Sequence, residues 1–347
     1  MLCKRTFSHL AIDLVCVLMV GLILVILANP VGAEENATLV EGARKEGKVV
    51  YYSGMTIEDA QAISNAFQKK YPFIKVEILR MSGEKILIKA LTEARSKKLP
   101  ADIFQTSIIQ VSQMQENKLL MKYDSPESKA YPENFKSREG YWNAIYVLPY
   151  VLTYNTKIFP RDQAPKSYED LLNPKWKGQI GMDAEEIQWY FFMMKVMGKD
   201  KGMAYMQKLA QQNVSLRKGH TLLVTLCAAG EVPVVTVGYL DRVERLRDGG
   251  APIDWVRFKS SPVPTAINAT AIVASAPHPN AAKLFHNFII SREGARAIKS
   301  VGRFPAHPEE LSSELKSLSL YPLMPEELLP NYSQVEKEFI QTFQYRK

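Results

Sequence analysis

Three knots of hydroxyl and glycine residues raise the first chemical question: Ser53-Gly54-Met55-Thr56, Ser82-Gly83 and Thr106-Ser107. Each follows a run of strand formers and precedes a helical pattern. Amides at a helix start lack intrahelical partners and carry partial positive charge, so such a knot can hold an anionic or strongly polar group. Ser and Thr also cap helices with no ligand present. Three knots at successive strand ends point instead to one shared cleft.

Catalytic chemistry finds less support. The sequence has no Gly-x-Ser-x-Gly elbow, His-Glu-x-x-His pair, Gly-x-x-x-x-Gly-Lys phosphate loop or Gly-x-Gly-x-x-Gly fingerprint. Four histidines follow residue 33, namely His220, His278, His286 and His307, and no two stand at helical i, i+4 spacing. Glu185 and Glu186 are adjacent, so on a helix they diverge by about 100°. No enzymatic reaction is called for, and no cofactor.

The elements that must position the knots alternate. Val49–Tyr52, Phe73–Leu79 and Ala101–Gln105 read as strands, with helices from Thr56 to about Lys70 and from Glu84 to Ser96. Ile57, Ala60, Ile63 and Phe67 give the first helix its apolar face. A β-α-β-α-β order calls for a mainly parallel sheet with helices on both faces. In such sheets ligands bind at the carboxyl ends of the strands, where the knots stand. A polar segment from Lys122 to Gly140 precedes a strand-forming run, Tyr141–Tyr154, interrupted by Pro149. A second α/β unit follows: a helix at Ser167–Leu172, a strand at Gln179–Met182, helices around residues 185–211 and 220–231, a strand at Val232–Gly238 and a helix stopping at Gly249.

At 347 residues the chain exceeds what one core usually organises, so two domains are expected. Lys4 and Arg5 precede an apolar run from Leu14 to Ala28 and then Val31-Gly32-Ala33, the layout of a signal peptide cleaved after Ala33. An uncleaved anchor is the alternative. Cleavage would remove one net positive charge from the total of +8, and both Cys3 and Cys16. Cys227 then stands alone, so an intrachain disulfide is excluded and a bacterial periplasm fits. The positive charges are dispersed rather than blocked, which argues against nucleic acid as partner.

The segment order resembles the extracellular solute-binding proteins of ABC transporters, in the family 1 or ferric-binding-like group. The resemblance rests on "LVEGARKEGKVVYYSG", "KKLPADIFQTS", "YVLPYVLTYNTKIFP", "SYEDLLNPKWKGQIGM", "GAPIDWV", "SAPHPNAAKLFHNFIISREGARAI" and "GRFPAHPE". It implies a type 2 periplasmic-binding-protein fold of class α/β: two lobes, each a mainly parallel sheet flanked by helices, hinged by two crossing strands. Those crossings are expected in Tyr146–Asn155 and Thr265–Ala274. Lobe 1 would comprise residues 34–145 and 270–347, and lobe 2 residues 146–269, after a signal peptide at 1–33. The implied function is capture of a small-molecule solute in the periplasm and its delivery to a membrane permease and its ATPase, by a monomer. A sensory receptor as partner, and a secreted enzyme, are the competing readings.

By family position the ligand-binding residues would be Ser53, Gly54, Thr56, Ser82, Gly83, Thr106 and Ser107 on one lobe. Tyr150, Asp183, Glu186, Thr221, Tyr239 and Asn268 complete the set, with His220 and Trp189 nearby. Ferric members of the group use a pair of neighbouring tyrosines, and anionic oxygen donors suit hard Fe³⁺. Here Tyr239 is flanked by Gly238 and Leu240. One tyrosine of the pair is missing, so iron is the alternative, and no resident metal is expected. The first choice is a small polar organic solute with an anionic group.

Overall fold

Strand runs alternating with amphipathic helices build one long, partner-switching sheet in the computed structural model, which describes residues 30–258 and 262–345. The expected leader, through Asn29, lies outside the described residues, as do Cys3 and Cys16. Among the described residues no helix is long and apolar enough to cross a membrane. The first strands are β1 (Lys48–Ser53), β2 (Lys75–Arg80), β3 (Ile103–Ser107), β4 (Asn143–Asn155) and β5 (Ile180–Asp183). Next come β6 (Ser215–Arg217), β7 (Val234–Tyr239) and β8 (Ile253–Trp255). The last are β9 (Val263–Ile272), β10 (Phe304–Pro305) and β11 (Leu320–Pro322). The main path runs β2-β1-β3-β9-β4-β7-β5-β6.

β2, β1 and β3 are parallel, with Tyr51 opposite both Ile78 and Ile103, as the β-α-β-α-β reading requires. β7, β5 and β6 form a second parallel group. Between the two groups, β9 and β4 run antiparallel to their neighbours. β4 is the element that crosses. Its residues from Asn143 to Pro149 pair with β9, and from Tyr150 onward it pairs with β7 and then β8. The sequence reading treated Pro149 as an interruption; the strand instead runs through it. Pro149 is the last residue paired to β9, so its missing N–H falls at the end of one ladder. The second crossing expected at Thr265–Ala274 is not found there: β8 pairs with β4 beside β7, and every pairing of β9 is on the first sheet.

One continuous core runs through both halves. Tyr51, Phe67 and Phe285 pack edge-to-face around β1, whereas Trp176, Trp189 and Tyr190 fill the second half. The helix expected at Ser167–Leu172 is a 3-10 turn, Glu169–Leu172, followed by another at Pro174–Trp176. The tail is less simple than a lobe 1 appendage. β11 pairs with β9 on the first sheet, but the last helix, Tyr332–Phe343, packs on the helices Ile187–Met197 and Lys199–Ala210 of the second half. Tyr190 meets Phe339 edge-on there, with ring centroids 5.8 Å apart. Cys227 is buried, its thiol pushed up by desolvation, as befits a core residue.

Candidate functional site

The strand ends of both halves face one another across a cleft of about 660 Å³. On the first half, the knots meet at its floor. Gly54 and Gly83 flank the Thr106 hydroxyl so tightly that a Cβ on Gly83 would come within 2.5 Å of Thr106 Oγ1, and one on Gly54 within 3.5 Å. Glycine is therefore required at position 83 by close approach, which brings two helix starts to the same patch of floor. Thr56 caps the helix Ile57–Lys70 through the Asp59 amide, and Ser107 caps the helix Ile108–Glu116 through the Ile109 amide. Ser82 precedes the helix Gly83–Arg95 without a side-chain cap bond and is exposed.

Gly54, Thr56, Ser82, Gly83, Thr106 and Ser107 all line the cleft. Ser53 does not, and here the expectation of a ligand contact is corrected. Its side chain is fully buried, donating to Gln105 Oε1 at 2.8 Å and accepting from the Met55 amide at 3.2 Å. The alternation of a strand is the reason: if the end of β1 turns Gly54 to the cleft, the preceding side chain faces inward. Gln105 organises this floor. Its Oε1 also accepts from the Gly54 and Met55 amides, and its Nε2 donates to Asn268 Oδ1. The sequence reading passed over Gln105; a polar residue inside the apolar run "ADIFQ" was the available signal.

On the opposite wall, Tyr150, Asp183, Glu186, Thr221 and Tyr239 line the cleft, joined by His220, while Asn268 lines it from β9 beside the floor. Tyr150 and Tyr239 are direct cross-strand partners of β4 and β7. Their rings stack with that of His220: 4.2 Å between the centroids of His220 and Tyr239, and 5.6 Å between those of Tyr150 and Tyr239. Trp189, an aromatic candidate in sequence, is fully buried behind this wall and does not line the cleft. Asp183 accepts from the Glu185 amide (2.8 Å) and the Gly219 amide (2.6 Å), tying the loop after β5 to the start of the helix His220–Ala229. Glu186 is only 2% exposed. Burial first, and then neighbouring Asp183, push its carboxyl well above the usual range. Burial also lowers the His220 imidazole, against the opposing pull of Asp183. The phenols of Tyr150 and Tyr239 are raised well above their ordinary value, mainly by desolvation.

Several lining residues had no strong sequence signal. Arg80, at the end of β2, is exposed and donates through Nε to the Met55 carbonyl. Arg303 donates to Asp59 at 2.9 Å and to Asp241 at 2.7 Å, beneath Tyr146. Asp59 opens the helix Ile57–Lys70 of the first half and Asp241 the helix Leu240–Asp248 of the second, so this triad ties the halves together at the cleft base. The last helix brings Tyr332 and Glu336 to the cleft. Among the described residues no group of three or more His, Cys, Asp or Glu is placed to hold a metal ion. The arrangement is one of convergent donors, acceptors and ring faces, suited to holding a solute.

The family described as bacterial extracellular solute-binding protein matches residues 62–322. The major ferric iron-binding protein of Neisseria meningitidis is 21% identical over 280 residues, spanning 76% of this chain and 82% of that protein. Iron-bound HitA from Pseudomonas aeruginosa is similar in structure with a TM-score of 0.73 at 23% identity, over 84% of this chain and 99% of the other. The periplasmic binding protein AfuA from Actinobacillus pleuropneumoniae, with exogenous fructose-6-phosphate bound, gives 0.74 at 22% identity, over 86% and 99%.

Proposed function

The chain belongs to the family of bacterial extracellular solute-binding proteins, and on that premise we propose that it is the periplasmic solute-binding component of an ABC importer whose solute is a small polar organic molecule with an anionic group. Export would be directed by the leader and completed by cleavage after Ala33, and the partners would be a membrane permease and its ATPase. The lobes in this reading follow the expected division into residues 34–145 with 270–347 and residues 146–269, except that β9 pairs with the first sheet and the last helix packs on the second half. The switch of β4 from β9 to β7 between Pro149 and Tyr150 supports a hinge at that strand. Closure of such halves over a solute would favour the shape that the permease recognises.

The observation that carries the solute class is the convergence on one patch of floor of Gly54–Thr56, Ser82-Gly83 and Thr106-Ser107, with the exposed Arg80 beside them. Helix starts and a guanidinium together attract carboxylate or phosphate. The structural neighbour with fructose-6-phosphate bound is consistent with a solute of this kind. Calorimetric and thermal-shift titration of the chain from Glu34 with phosphate esters, phosphonates and carboxylates tests it. A ligand at 100 times its dissociation constant adds about 2.7 kcal/mol. Stabilisation by none of these anions would overturn the reading.

A second reading, ferric ion as the cargo, draws support from the stacked phenols of Tyr150 and Tyr239, which bring a second tyrosine to Tyr239 from another strand. Fe³⁺ that raises the melting temperature and develops a phenolate charge-transfer colour, both lost in Tyr239→Phe, would establish it over the first.

A further inference from the structure

The wall opposite the proposed anion-binding floor holds a buried carboxyl group with one oxygen unpaired. Glu186 is nine-tenths buried and more, and its Oε2 has no hydrogen-bond partner among the described residues although it lines the cleft. Native proteins pair the great majority of their buried polar atoms, so an orphan oxygen within the wall of a ligand cleft marks a place where a ligand atom can complete the bonding. Its neighbours are already committed. Both oxygens of Asp183 are taken by backbone amides. Lys218 is engaged by Glu185 at 2.8 Å, and Arg303 by Asp59 and Asp241. His220 Nε2 stands 3.5 Å from Glu186 Oε2, and burial holds that imidazole toward its neutral form.

We propose that the solute carries a cationic amine at the end opposite its anionic group, and that Glu186, beside the stacked rings of Tyr150, His220 and Tyr239, is the residue that selects it. The inference rests on the organic-anion reading above and adds the second functional group. Two observations favour an ammonium over a hydroxyl. The first is charge. Of the acidic groups lining the cleft, Glu185 is paired with Lys218, and Glu84, Asp183 and Glu186 stand against Arg80, because Arg303 is taken by Asp59 and Asp241. A hydroxyl would satisfy the orphan oxygen and leave that excess in place; an ammonium answers both. The second is the ring stack. Aromatic faces attract a cation through their quadrupole, most strongly where water is displaced, and here Tyr150 is buried and Tyr239 and His220 half-buried. A solute with both groups would span the cleft, its anion on the floor of the first half and its amine on the wall of the second, so that binding bridges the halves.

The experiment compares 2-aminoethyl phosphate, 2-hydroxyethyl phosphate and ethyl phosphate by isothermal titration calorimetry on the full chain from Glu34, wild type and Glu186→Gln. The expected result is at least tenfold tighter binding of the amino compound in wild type. In E186Q that preference disappears, while ethyl phosphate binds within twofold of wild type. Equal affinity for all three, or preference for the hydroxy compound, overturns the inference and leaves the anionic-solute reading standing. Equal weakening of all three in E186Q assigns Glu186 a structural role and also overturns it. No binding by any of the phosphates, with Fe³⁺ bound instead, overturns the anionic-solute reading itself, and this inference with it. The wild-type comparison is decisive even if E186Q folds poorly, and Tyr239→Leu provides a second route to the same loss of preference.

Discussion

Replacing Arg303 by Met should be among the most damaging single changes in this protein, because it strands two carboxylates. The guanidinium is 15% exposed on its side chain, against 6% for Asp59 and 1% for Asp241. Removing one partner of a buried ionic group costs about 3–5 kcal/mol, since the remaining charges stay buried without compensation. That is a large share of a total stability of roughly 5–15 kcal/mol. The loss should carry a pH signature. Burial already pushes the Asp241 carboxyl up, and Arg303 is the main opposing influence. Without Arg303 the rise is unopposed. The folded state then holds a proton that the unfolded chain releases, so stability of the variant increases as pH falls from 7 toward 5. Urea unfolding followed by tryptophan fluorescence at both pH values reads the effect. The double variant Arg303→Met, Asp241→Asn should recover a good part of the loss by removing one stranded charge. A deficit under about 1 kcal/mol at pH 7, or a double variant no more stable than the single, would refute the reasoning that this triad is a buried, mutually dependent unit.

Ser53→Ala should cost about 1–2 kcal/mol through the lost bonds to Gln105 and Met55, yet leave solute affinity within a few-fold by calorimetry; a large affinity loss with unchanged stability would return Ser53 to the cleft. Gly83→Ala should destabilise by about 1–3 kcal/mol and weaken binding at least tenfold, because the added methyl collides with Thr106 Oγ1 and crowds Gln110. An unchanged melting temperature and affinity would show that the floor yields. His286, buried beside Asn143, has its pKa lowered from the usual 6.5 to about 4 by desolvation. The unfolded chain therefore takes up the proton first, and stability is lost as pH falls from 6.5 toward 4, by roughly 3 kcal/mol. His286→Gln should flatten that part of the pH–stability curve, and an equally steep curve in the variant would disprove the assignment.

Local pattern carried most of the secondary structure. Ile57, Ala60, Ile63 and Phe67 mark one face of a helix in any context, and the glycine–hydroxyl knots end strands and begin helices for reasons confined to a few residues. The alternation of those elements implied the α/β class and the side of the sheet on which a ligand would lie. Twelve of the thirteen candidate ligand-binding residues do line the cleft. Ser53 failed because the direction of a side chain at a strand end depends on register, and a shift of one residue reverses it.

What lies beyond such local rules depended on long-range pairing. Nothing around Arg303 in "GRFPAHPE" names Asp59 or Asp241, which are 244 and 62 residues away in the chain. Pro149 reads as a strand breaker until β4 is seen to change partners beside it. Glu186 reads as an ordinary acidic residue at a helix start, and the macrodipole alone would account for it. Only folding buries it beside His220 with one carboxyl oxygen unpaired. The sequence by itself determined which segments become strands and helices and at which ends they carry polar groups, because those choices are settled by neighbours within a few residues. The tertiary structure decided which charges meet and which are left unanswered, because burial and Coulomb interaction act through space between residues that the chain keeps far apart.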